Sequence, residues 1–227
     1  MTHALLSPSG AHRWLACPPS ARLGEKFPDE PSVYAIEGAK AHEIAEVVLR
    51  ARLNGENVPE NVQTLEAANT YADYVLELIG TQKHVPVSLE VRSDYSAYIP
   101  DGFGIADCVL VLEDVIHVID FKYGMGVKVS AKDNPQLKLY ALGVLDGLKD
   151  ILDITKISVH IVQPRIQNID SDVMSVQSLL DWAKSIRPVA ELAWKGEGDF
   201  SVGEHCRFCR AKERLELNIL RNFISQH

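Results

Sequence analysis

No apolar run in the sequence approaches the roughly 20 residues a membrane-spanning helix needs. The opening residues 1–14 also lack the basic-then-apolar order of a secretion signal. Both absences predict a cytoplasmic protein with no membrane partner. Cysteine is scarce: Cys17, Cys108, Cys206 and Cys209 are the full set, and they show no secreted-disulfide framework. Basic residues are outnumbered, with 23 Lys+Arg against 31 Asp+Glu and a net charge of -8, which excludes a general nucleic-acid coating protein. An enzyme with a local basic groove, some of whose acids are metal ligands, remains compatible with that balance. Internal repeats and low-complexity segments are absent, which excludes a solenoid. What is there is ordinary for one soluble globular domain spanning 1–227: 46% hydrophobic and 24% charged residues.

The periodicities predict helices over residues 7–16, about 33–53, about 62–79, 135–148 and 175–194, the last bent or interrupted at Pro188. Ile36, Ala39, Ile44, Val47 and Val48 form the expected apolar stripe of the second of these. Strands are expected at 87–92, on both sides of Glu113-Asp114, at 127–129 and at 156–163. Helices, strands, helix, strand, helix is the order of an α/β fold with a central mixed sheet flanked by helices.

Two carboxylates and a lysine interrupt the most apolar of these runs. In a strand, successive side chains alternate, so Val118, Asp120 and Lys122 share one face and His117, Ile119 and Phe121 the other. Pairing through the Glu113-Asp114 turn brings Asp107 near Asp120 at the open end of the hairpin. Two close carboxylates repel, and either a divalent cation or a structural Asp–Lys ion pair relieves them.

Other residues carry chemistry if they converge on that hairpin. Gly38, His42 and Glu46 lie at i, i+4 spacing on one helix face, the glycine permitting a close approach to the sheet and the imidazole free to meet a metal or to sit satisfied in the core. Glu90, placed on the opposite face from Leu89 and Val91, either completes an acidic cluster or is a solvated edge-strand glutamate. Gln136 and Tyr140 stand one turn apart after the helix start at Asp133-Asn134-Pro135, where a phosphate or base is favoured. Arg207, Arg210, Lys212 and Arg214, with Arg13 and Arg22, either flank a DNA strand or form a solvated basic segment.

Taken in order, Gly38-x3-His42-x3-Glu46, Glu90, Gly104-Ile-Ala-Asp107, Asp120-Phe-Lys122-Tyr-Gly124 and Gln136-x3-Tyr140 resemble the RecB-type branch of the PD-(D/E)XK nucleases. That branch includes the RecB and AddB nuclease domains and the CRISPR-associated exonucleases. The phrases Ser9-Gly-Ala-His-Arg-Trp14, Asn134-Pro-Gln-Leu137, Gln163-Pro-Arg165 and Gly203-Glu-His-Cys-Arg-Phe-Cys-Arg-Ala-Lys212 resemble phage and prophage proteins of otherwise uncharacterised function, over nearly the whole chain to about Lys212. The resemblance implies a restriction-endonuclease-like core and a Mg²⁺- or Mn²⁺-dependent deoxyribonuclease, an exonuclease of phage recombination or replication. His42, Asp107, Asp120 and the Phe121 carbonyl would hold the metal, and Lys122 would act on the attacking water or the transition state. Glu90 would support them, and Gln136 and Tyr140 would hold DNA. A phage single-strand annealing or replication protein is the implied protein partner. An alternative is a DNA-binding or assembly module of the same fold that no longer cleaves.

Similar proteins also join their termini through four cysteines around a [4Fe-4S] cluster. Here Cys17, Cys206 and Cys209 match, linking a segment at about 7–20 to one at about 203–215, but Leu215 stands at the fourth position. His205 or His227 could complete a zinc or cluster site, though neither has the family's spacing, and a small zinc protein tied at its termini is a third reading. Cys108 reads as a free buried thiol. The tail from Arg214 to His227 departs from the pattern.

Overall fold

β-branched and aliphatic runs pair into one sheet because only pairing satisfies their backbone groups once both faces are covered. The computed structural model describes residues 4–28, 31–58, 64–82 and 84–212. Its five strands, β1 (Val87–Asp94), β2 (Phe103–Leu112), β3 (Val115–Phe121), β4 (Lys156–Gln163) and β5 (Asn168–Ser175), lie side by side in that order. β3 and β4 are parallel and the other neighbours antiparallel, so the sheet is mixed. The parallel pair needs a crossover, and helix α5 (Pro135–Leu148) supplies it.

Helices cover both faces, and the expected α/β architecture is observed. On one face α5, α6 (Val176–Lys195) and α1 (Ala11–Ala16) enclose a core containing Trp14, Val118, Leu137, Ile157, Val159 and Leu179. On the other, α3 (Val33–Asn54) and α4 (Leu65–Ile79) enclose Leu49, Tyr71, Val75, Leu110, Ile119 and Phe121. A short helix, α2 (Ser20–Gly24), follows α1. Among the described residues no helix is long and apolar enough to cross a membrane.

Several elements differ from the sequence-based expectation. The buried face of α3 is Ala41, Ala45, Val48, Leu49 and Ala51, whereas Ile36 is 58% and Val47 50% exposed and Ala39 is exposed. The small alanines let the helix lie against α4 and the sheet, and the larger residues turn outward. α6 runs unbroken through Pro188. The ring is exposed, and the buried residues Leu179, Ala183, Ile186, Ala190 and Ala193 on both sides hold the helix together against a cost of roughly 3 kcal/mol. The expected start of α4 near Val62 lies outside the described residues.

Residues 127–129 form no strand. The buried side chain of Gln163 holds that loop instead, donating to the carbonyls of Gly124 (2.6 Å) and Val127 (2.9 Å) and accepting from Val129 N–H (3.1 Å). Asn168 donates to the Val129 carbonyl at 2.8 Å. β5 was not anticipated, because its sequence mixes Asp170, Asp172 and Ser171 with exposed Ile169 and Val173, the composition of a protected edge.

A polar chain crosses the second core. His160 on β4 meets the Tyr74 hydroxyl (2.8 Å), His117 (3.0 Å) and the Ser158 hydroxyl (2.9 Å). Burial, then the neighbouring His117, pushes the His160 pKa down from 6.5 to about 3. The folded state therefore keeps this imidazole neutral while the unfolded chain takes up a proton. Stability from this site is complete above pH 6.5 and is lost as pH falls toward about 3, at up to ~1.4 kcal/mol per pH unit. Melting temperatures measured from pH 7 to pH 4 should fall for the parent and fall less steeply for His160→Gln. Equal slopes would refute this account.

Candidate functional site

Asp107 and Asp120 are brought together by strand register. Cys108 pairs with Ile119, which places Asp107 next along β2 opposite Asp120 on β3. The paired register ends at Cys108 and Ile119, just short of them: Asp107 Oδ2 accepts the Phe121 N–H at 2.7 Å, a side chain standing in for a strand carbonyl. Asp107 Oδ1 lies 3.3 Å from Nδ1 of His42, which α3 delivers from the second face. Burial disfavours the imidazolium, but the hydrogen bond and charge of Asp107, with the charge of Asp120, outweigh it and hold the His42 pKa above its ordinary value.

Asp120 is 2% exposed and points toward α5, on the face of Val118 as the alternation predicts, whereas Asp107, expected on that same face, turns to α3. Its Oδ1 accepts from Gln136 Nε2 at 3.1 Å, and its Oδ2 lies 2.8 Å from Lys122 Nζ. Lys122 Nζ also donates to Gln136 Oε1 (3.1 Å), and Gln136 Nε2 to the Tyr140 hydroxyl (3.2 Å). Asp120 Oδ2 is buried, and among the described residues the Lys122 ammonium is its partner. Burial raises the Asp120 pKa, Lys122 opposes the rise, and Asp107 adds to it.

The first turn of α5 is locally specified. Asn134 caps it, accepting from Gln136 N–H (3.0 Å) and Leu137 N–H (3.4 Å), and Pro135 takes a position where a missing N–H costs nothing. Gly104 makes room for Tyr140: a Cβ there would stand 2.9 Å from the Tyr140 ring and 2.5 Å from Pro8.

Glu90 contributes differently from its expected placement. It has a left-handed φ of 52°, and the strand changes face there: Leu89 packs on the second core and Val91 on the first. The two neighbours thus do not share a face. The exposed Glu90 side chain borders a space of about 10 Å³, room for roughly one water or ion, with His42, Glu46, Tyr71 and Asp107. Burial, then Asp107 and Glu46, raises its pKa.

Tyr71 was not anticipated. Its hydroxyl is buried beside the Cys108 thiol, and as one tyrosine on the buried stripe of α4 it carries no sequence signal. His12 was also missed; burial and the charge of Lys122 lower its pKa, so α1 reaches the same neighbourhood. Gly38 does not serve a close approach, since a Cβ there would meet nothing within 4 Å.

The donor chemistry suits a hard divalent cation: the carboxylates of Asp107 and Asp120 and one imidazole. Among the described residues, no three His, Cys, Asp or Glu side chains already stand in ligating positions. Each acid is neutralised internally, Asp107 by His42, Asp120 by Lys122 and Glu46 by Arg50 at 2.6 Å. A cation would displace these contacts and the proton of His42.

All four cysteines are free. Arg13 lies within electrostatic reach of both Cys17 and Cys209, and Ser201 Oγ donates to the Ala16 carbonyl at 2.5 Å, so the described C-terminal segment does return to α1. Cys206 Sγ contacts the Ser201 carbonyl at 3.8 Å. Leu215, Arg214 and His227 lie outside the described residues. Arg13 donates to the Ser20 carbonyl and Arg22 to the Trp194 carbonyl, both at 2.7 Å, so these two arginines tie helices together. Arg207 differs: its guanidinium lies near Gly126, in the loop between Lys122 and Gln136.

The family model described as protein of unknown function (DUF2800) matches residues 3–223. The chain belongs to this family. The DUF2800 description carries no activity. Among solved structures, the crystal structure of SSO0001 is similar over 93% of this DUF2800 chain and 86% of its own, at 14% identity and a TM-score of 0.45. That likeness is too weak to bear on chemistry.

Proposed function

We propose that this DUF2800 protein is a Mg²⁺- or Mn²⁺-dependent deoxyribonuclease with a restriction-endonuclease-like core. The observation that carries the reading is the convergence of His42, Asp107, Asp120, Lys122, Gln136 and Tyr140 from four elements at the end of the β2–β3 hairpin. His42, Asp107, Asp120 and the Phe121 carbonyl would hold the cation. When bound, it would lower the pKa of a water and offset charge on the scissile phosphate.

Lys122 supplies positive charge beside Asp120, where charge develops during phosphodiester cleavage. Its ammonium is held by Asp120 and Gln136 together, which fixes its direction. Gln136 bonds Asp120, Lys122 and Tyr140, so we assign Gln136 and Tyr140 a positioning role alongside contact with the DNA backbone. The sequence resemblance favours an exonuclease acting in phage-type recombination or replication.

The test is cleavage of end-labelled single- and double-stranded DNA by the pure protein with Mn²⁺, Mg²⁺ or EDTA. Product in either metal and none in EDTA is expected. DNA retained in a shift assay with no metal-dependent product would replace this reading with that of a binding module.

A further inference from the structure

A second concavity opens beside Lys122 on the opposite side of β3. It encloses about 400 Å³ between the start of α4 and the turn after β4, and its lining includes Thr64, Glu66, Tyr123 and Arg165. The position follows from topology, since ligands of open α/β sheets sit outside the carboxyl ends of parallel strands, and β3 and β4 are the parallel pair here. Tyr123 directly follows Lys122, so whatever occupies the cleft adjoins the candidate cation site.

Three features define what it would take. The Arg165 guanidinium carbon lies over the Tyr123 ring, 4.4 Å from its centroid, at the wall of the cleft. Thr64 is only 7% exposed, and its hydroxyl has no hydrogen-bond partner among the described residues and does not cap α4. A buried hydroxyl without a partner is costly unless a ligand satisfies it. The charge is balanced: Arg165 lies 3.3 Å from Glu37, and Glu66 faces the same space. A phosphate would meet carboxylates, whereas a neutral planar group with hydrogen-bonding edges would not.

We propose that this cleft takes one unpaired nucleobase of the DNA strand being cleaved, stacked on the Arg165 plane and hydrogen-bonded to Thr64. The inference rests on the nuclease reading for its substrate, but not for its test. Tyr123 is here a positioning residue that orients Arg165. Stacking on a guanidinium plane suits every base, so the site selects unpaired strands over sequence.

The experiment uses the full chain in EDTA with a single-stranded oligonucleotide containing 2-aminopurine, followed by cleavage in Mn²⁺. Binding should quench the 2-aminopurine, and Arg165→Ala, Tyr123→Ala and Thr64→Val should each weaken binding, by about 10-fold for the stacking pair. Arg165→Lys, which keeps the charge and loses the plane, should behave like Arg165→Ala. Tyr123→Phe keeps the ring and should bind like the parent, which guards against loss of fold in Tyr123→Ala. Hydrolysis of bis(p-nitrophenyl) phosphate, which has no base, should be unchanged in every variant. Parent-like affinity in Arg165→Ala, or rescue by Arg165→Lys, would overturn the proposal. Quenching that depends on Arg165 without any cleavage would uphold the cleft and overturn the nuclease reading. Cleavage of the oligonucleotide unaffected by Arg165→Ala would do the reverse, and failure to bind DNA at all would overturn both.

Discussion

Asp120→Asn is expected to lower metal-dependent DNA cleavage at least ~10³-fold, about 4 kcal/mol of transition-state stabilisation, while leaving the fold as stable as the parent or more so. The activity loss follows from removing an anion from the cation site and the partner that directs Lys122. The stability result follows from the sign of the pKa shift. Burial and Asp107 raise the Asp120 pKa despite Lys122, so the unfolded chain gives up this proton more readily than the folded one. Ionised Asp120 is therefore a burden on the fold at neutral pH, and its contribution worsens as pH rises from the ordinary carboxylate range through the raised value. An amide of the same shape removes that burden.

Removing one partner of a buried pair usually destabilises. Here the partners are unequal: the Lys122 side chain is 24% exposed against 3% for Asp120, and Lys122 retains Gln136. Lys122→Met should accordingly cost more stability than Asp120→Asn, on the order of 2 kcal/mol, because it leaves the buried carboxylate to take up a proton or stay unpaired. Thermal melts at pH 7 beside a cleavage assay separate the two substitutions. Asp120→Asn keeping more than about a hundredth of parental cleavage would sink the assignment.

The part of the site made by strand pairing was legible in the sequence, because a two-residue turn and a period of two leave Asp107 few places to go except opposite Asp120. The α5 contribution was legible for a similar reason: Asn134-Pro135 fixes the helix start, and i, i+4 spacing then joins Gln136 to Tyr140. What depends on tertiary choice was not. α3 carries apolar residues on several sides, and which stripe is buried is decided by how closely Ala41 and Ala45 let it approach its neighbours. The left-handed backbone at Glu90 is stabilised by its surroundings and leaves no pattern in a run that otherwise alternates. The loop at residues 127–129 reads as a strand because its valines alternate, yet a single buried glutamine 34 to 36 positions away takes the bonds a neighbouring strand would have made. Asp107 and His42 are what favour the proposed cation site over the ion pair that Asp120 and Lys122 alone would suggest, and their contact joins α3 to the β2–β3 hairpin.

The Asp120–Lys122 side of the site depends on where α5 sits, and Gly143→Ala should show it. α5 crosses β1 so closely that a Cβ at Gly143 would stand 2.7 Å from Asp94 N and 2.8 Å from Asp94 C, and would also strike the Ser93 hydroxyl. Ser93 Oγ donates to the Tyr140 carbonyl at 2.8 Å, so the same contact that needs the glycine also anchors the turn bearing Tyr140. Backbone atoms cannot rotate away as a side-chain end can, so the helix itself must move. We expect a loss of about 3 kcal/mol, a fall in melting temperature of ~6–12 °C for a chain of this size. Activity should drop about 10²-fold even at temperatures where the variant is folded, because displacement of α5 carries Gln136 away from Asp120 and Lys122. Gly147→Ala is the matched control on the same helix: a Cβ there meets nothing within 4 Å, and the better helix former should be neutral or raise stability by up to ~1 kcal/mol. Equal melting temperatures for the two variants would mean that the α5–β1 crossing is not what sets the position of Gln136, and with it the direction of Lys122.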